Sequence, residues 1–126
     1  GKGLNADHTG PDDEGDAYSA LEHGWDEGFG YFGASRYYSS LDDLTIQDVG
    51  YADSDGDGSI DLMSEFCFAA SVSAAKRDVG ASEDAPTDFT AVAWEGFHAG
   101  RSIIAATRVA WMRTPWLRSR DTETRR

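Results

Sequence analysis

Residues 89–111, FTAVAWEGFHAGRSIIAATRVAW, decide the fold class. Phe89, Val92/Ala93, Gly96/Phe97, Gly100, Ile103/Ile104, Thr107 and Trp111 recur at steps of three and four. That is the period of one face of an α-helix, kept for about seven turns. Pro86 stands just ahead, where a first-turn proline loses no hydrogen bond. Pro115 follows, where it ends or kinks the helix.

The same step appears upstream in Tyr18, Leu21, Trp25, Gly28/Phe29 and Phe32. It predicts a first helix from Asp16 or Ala17 that fades at Gly30–Gly33. Each glycine costs such a helix roughly 1 kcal/mol relative to alanine. Their repeated use therefore points to close backbone packing against a neighbour. Another helix is expected from about Leu62 to Asp78, burying Phe66, Ala69/Ala70, Ser73 and Ala74, with Gly80 ending it. Ser39–Leu44 reads as a short helical turn capped by serine. Strand alternation is missing throughout. The expected fold is mostly α: a small helical bundle of about three main helices, with an EF-hand-like calcium loop between helices one and two. Residues 1–16 read as an extended lead-in, 17–117 as the helical calcium-binding domain and 118–126 as a charged tail. Trp25, Tyr31, Phe32 and Trp94 are expected in the core.

The loop is Asp53-Ser54-Asp55-Gly56-Asp57-Gly58-Ser59-Ile60-Asp61. Calcium is a hard cation that takes six to eight oxygens. Carboxylates at the first, third and fifth positions of an EF-hand-type loop supply several, and a glycine at the sixth permits the sharp turn. Asp53, Asp55, Asp57 and Gly58 meet those demands. The Ser59 carbonyl at position seven and Asp61 at position nine continue the ring, and Ile60 anchors the loop to the core. The pattern departs at position twelve, where the bidentate glutamate of an EF-hand is replaced by Ser64, with Glu65 one place later: either the loop relaxes to let Glu65 reach in, or the site lacks a bidentate ligand and is weaker. Val49-Gly50-Tyr51 also breaks any helix entering the loop. The calcium ligands read from spacing are thus Asp53, Asp55, Asp57, Ser59, Asp61 and Glu65, in a solitary structural site and not a paired sensor. Magnesium is the lesser alternative, because so many carboxylates suit a larger ion.

The remaining composition bounds the function. Net charge is −12, which disfavours nucleic acid or anionic lipid as a partner of the whole surface. The charge is uneven: residues 1–65 carry sixteen acids against Lys2 and Arg36, whereas five arginines stand from Arg113 onward. Such a basic tail suits a protein partner or a larger assembly. No stretch approaches the ~20 apolar residues of a membrane span. Cys67 is the only cysteine, so an internal disulfide is excluded, and its apolar neighbours predict a buried small hydrophobe.

His23 and Glu27 are four apart and Glu95 and His98 three apart, each pair on one helical face. Glu-x-x-His belongs to the ligand set of di-metal carboxylate bundles. His23, Glu27, Glu95 and His98 therefore form an alternative metal set, for iron or another transition metal. Arg101, inside an apolar run, needs a carboxylate partner, with Glu22, Asp26 or Glu27 as candidates. Serine, cysteine and histidine form no recognisable nucleophile-and-base set, so a non-enzymatic role is expected.

Three segments carry a resemblance: 21–33 (LEHGWDEGFGYFG), 53–65 (DSDGDGSIDLMSE) and 74–78 (AAKRD). In this order they resemble a domain-of-unknown-function family of exported bacterial envelope proteins and lipoproteins. That family is itself distantly similar to the imelysin-like helical proteins, which are linked to iron or metal uptake. The resemblance implies a helical bundle, a periplasmic or cell-surface location and a calcium loop between helices. It also implies that this chain is a piece or a reduced version of a longer protein. The expectation is an exported calcium-binding helical domain, acting as a binding module or as a subunit of an assembly.

Overall fold

A computed structural model of the protein describes residues 6–8, 10–11 and 13–113. Four helices follow in order: α1 (Ala20–Phe32), α2 (Asp43–Asp48), α3 (Ala69–Val79) and α4 (Phe89–Arg113), with a short 3-10 turn at Tyr38–Ser40. Among the described residues β structure is limited to two isolated bridges, Tyr51 with Phe66 and Ser82 with Ala85. The fold is a small helical bundle. The tail expected at residues 118–126 lies outside the described residues. None of the described helices is long and apolar enough to cross a membrane. The described residues fall into two compact units: those up to Glu27 together with those from His98, and Gly28–Phe97.

In the first unit α1 begins at Ala20, a turn later than periodicity suggests. The cause is a reciprocal cap. The Glu22 N–H donates to Ser19 Oγ at 3.3 Å, and the Ser19 N–H donates to the Glu22 carboxylate at 2.7 Å. This pairing satisfies two of the helix's orphan donors at once. Glu22 is only 5% exposed. It is also the meeting point for Arg101 at 3.0 Å and Arg108 at 2.9 Å, both from α4. Arg101 reaches Asp26 as well, at 2.9 Å. Two of the three partners expected for Arg101 are therefore the real ones. Burial pushes the Glu22 carboxyl up, but the Ser19 N–H and then the Arg101 and Arg108 guanidiniums outweigh it and hold the pKa below the ordinary value.

Gly100 lies under Trp25, and a Cβ there would overlap the indole. The α1 glycines for which close packing was expected differ: nothing lies within 4 Å of a Cβ at Gly30, and one at Gly28 meets only Phe97 at 3.9 Å. The lead-in is tied down where it is described. The Leu21 N–H donates to the Asp7 carbonyl at 3.0 Å. His8 joins Ser19 Oγ and the Ile104 carbonyl, each at 2.7 Å. The carbonyl only accepts, so Nε2 carries a proton and donates to it.

The second unit is built on Tyr38, Ile46, Cys67 and Ala75, with Phe32, Ala34, Leu41, Val72 and Trp94 packed around them. Cys67 is 2% exposed, as its apolar neighbours predict. Tyr31 is 79% exposed and so leaves the expected core set. α2 packs against α3. Asp42 caps α2, accepting from the Thr45 N–H and the Thr45 hydroxyl, both at 2.9 Å. Aspartate therefore does the work assigned to serine. Ser40 instead donates to the Tyr37 carbonyl.

α3 begins at Ala69, seven residues later than the predicted Leu62. Residues 66–68 are held extended by main-chain bonds: Cys67 N–H to the Gly50 carbonyl at 2.6 Å and Phe68 N–H to the Gly33 carbonyl at 2.8 Å. Phe66 stacks on Tyr51 with ring centroids 6.1 Å apart. The buried face of α3 is Ser71, Ala74 and Ala75, while Ala69, Ala70 and Ser73 are exposed. Gly33 turns the chain at φ +81°, and any Cβ there would strike the Phe68 carbonyl.

α4 starts at Phe89, three residues after Pro86. Asp78, at the far end of α3, explains the position. Its carboxylate accepts from the Phe89 N–H at 2.8 Å, the Thr90 N–H at 2.9 Å and the Thr87 hydroxyl at 2.8 Å. Burial raises the Asp78 pKa, and these donors lower it by more.

Two predictions follow from these carboxylates. The lowered Glu22 pKa means that its contribution is fully present above the ordinary glutamate value of 4.5 and fades as pH falls through the folded value. Glu22→Gln should lose roughly 2–3 kcal/mol at pH 7, less than a fully buried pair because Arg101 is a third exposed. In melts from pH 7 to pH 3, the gap between wild type and variant should narrow with acid. Asp78→Ala should cost about 1–2 kcal/mol and raise amide exchange at Phe89 and Thr90 ahead of the rest of α4.

Candidate metal centre

The acidic loop hangs from a neck. α2 stops at Asp48, Gly50 turns at φ +78°, and its carbonyl accepts from Cys67. The Tyr51–Phe66 bridge closes the neck. Beyond it the chain curls around the Asp53 side chain. One Asp53 oxygen accepts from the Gly56 N–H at 2.8 Å and the Asp57 N–H at 3.1 Å, and the other from the Gly58 N–H at 2.9 Å. Gly56 and Gly58 adopt φ +77° and +87°, the left-handed conformation that glycine takes without penalty.

This curl brings Asp53, Asp55 and Asp57 together. One carboxylate oxygen of each lies within 4.8 Å of the others, and all three residues are exposed. Two oxygens on opposite sides of a calcium ion, each about 2.3–2.6 Å from it, are separated by roughly 5 Å. The spacing therefore admits such an ion. Among the described residues this is the only group of three or more histidine, cysteine or acidic side chains so placed.

The other predicted ligands are placed differently. Ser59 is exposed, and both its N–H and its hydroxyl donate to one Asp57 oxygen, at 2.8 and 2.7 Å. Those two bonds lower the Asp57 pKa, while the Asp61 charge opposes the shift. Asp61 accepts from the Met63 N–H and the Ser64 hydroxyl, each at 2.8 Å, which lowers its pKa too, with a smaller part from Arg36.

Glu65 is 1% exposed. One oxygen accepts from the Ser54 N–H at 2.6 Å and the Asp55 N–H at 3.2 Å, the other from the Asp61 N–H at 3.0 Å. Both oxygens thus face main-chain donors at the two ends of the loop. The sequence left Glu65 either reaching in as a ligand or standing outside a weaker site, and gave it no other role. Its shift by one residue from the EF-hand position was the available signal of another job.

The residues of the alternative metal set, His23, Glu27, Glu95 and His98, have contacts of other kinds. His23 Nε2 stands 3.6 Å from Glu27 Oε1, with both side chains about 40% exposed. Tyr18 packs edge-on against the His23 ring at 5.4 Å. The His98 carbonyl accepts from the Ser102 hydroxyl at 2.9 Å. Glu95 lines a cavity of about 410 Å³ with Tyr38, Asp42, Asp43, Asp88 and Trp94. Three of those carboxylates serve as caps or hydroxyl acceptors: Asp42 to Thr45, Asp43 to Thr90 and Asp88 to Ala91.

No family model matches the chain. Neither the curated proteins nor the solved structures contain a significant match.

Replacing Glu65 by glutamine keeps the shape and turns one acceptor into a donor facing an N–H. Glu65→Gln should destabilise the protein by about 1–3 kcal/mol, with faster amide exchange at Ser54, Asp55 and Asp61. Asp57→Asn, on the exposed rim, should leave metal-free stability nearly unchanged in the same measurement.

Proposed function

We propose that the loop Asp53–Asp61 binds one calcium ion and that the protein is a non-enzymatic binding or assembly module stabilised by it. The observation that carries the reading is the convergence of the Asp53, Asp55 and Asp57 carboxylates to within 4.8 Å. Among the described residues no basic side chain forms an ion pair with them, and a divalent cation would relieve their mutual repulsion. Asp61 and the Ser59 carbonyl complete the proposed oxygen set on the outer side, with water filling the remainder. Glu65 supports the site from behind through the main chain.

Without a bidentate glutamate at position twelve, the site belongs with weaker calcium loops. Extracellular modules bind in the range of roughly 10⁻⁴–10⁻³ M. An exported, envelope-associated location, which the resemblance implies, is part of the same proposal.

The test is calcium-dependent stability. Ligand that binds only the folded state stabilises by about 2.7 kcal/mol at a hundred times its Kd. With Kd in that range, about 10 mM calcium is roughly ten to a hundred times Kd; it should therefore raise the melting temperature by several degrees, and EGTA should reverse the gain. Asp55→Ala should abolish the response. Absence of a calcium response, with iron, manganese or zinc near stoichiometry and lost in His23→Ala/His98→Ala, would replace this reading with the transition-metal one.

A further inference from the structure

We draw no further inference here: the strongest candidate, the exposed apolar face of α4 that carries Val92 and Ile103, has no covering element among the described residues, and nothing in the structure shows what covers it.

Discussion

Glu65 is a carboxylate buried to 1% exposure that accepts from three main-chain amides. Burying a charge without such partners costs several kcal/mol. Here the three N–H groups supply the compensation, and in return their positions are fixed. Ser54 and Asp55 at the start of the loop, and Asp61 near its end, are tied to one side chain. That side chain directly precedes Phe66 and Cys67, which close the neck against Tyr51 and Gly50. The exposed aspartates thus stand on a segment whose anchor lies in the interior of its unit.

The same device recurs along the chain. Glu22 takes the Ser19 N–H, Asp42 takes Thr45, Asp78 takes Phe89 and Thr90, and Asp53 takes Gly56, Asp57 and Gly58. A carboxylate beside backbone donors at a helix start also meets the positive end of the helix dipole. Much of the acidity in this −12 chain is consequently internal architecture. Net charge alone only disfavours nucleic acid or anionic lipid as a partner and says nothing of where the acids sit. The hydrogen bonds show acids spent on turns and helix starts, in a chain with few lysines and arginines to pair with.

This distribution explains which parts of the fold could be read from residues. Long apolar periods locate α1 and α4 as helices, although Phe89, Val92 and Ile103 of the α4 stripe stay exposed while Thr90 and Ile104 are buried. Cys67 and the partners of Arg101 also follow from local chemistry. The start of α3 does not. Leu62–Phe68 looks helix-compatible, but the Cys67 and Phe68 amides at its end bond to Gly50 and Gly33, residues distant in sequence. Periodicity has no access to such partners. The cap at α4 was hidden for a related reason: Asp78 lies eleven residues before Phe89, outside any local capping pattern. Tyr31 follows the aromatic clustering of its segment yet faces outward at 79% exposure, since position on the helix, and not residue type, decides burial.

The loop shows how one shifted residue changes the meaning of a motif. In an EF-hand the closing glutamate joins the cation, so loop geometry and ion occupancy are coupled through that side chain. Here Glu65 is engaged by amides, and the Asp53 curl is built from its own backbone bonds. A loop held in this way keeps its shape with its carboxylates already gathered. On the proposed reading, calcium then adds stability without a helix rearrangement of the kind that drives sensor proteins. The entry to the loop agrees: it is a glycine turn and a bridge, not a helix that an arriving ion could swing. What fits this construction is a clamp on the segment between α2 and α3, where an ion strengthens an arrangement that the buried glutamate already defines.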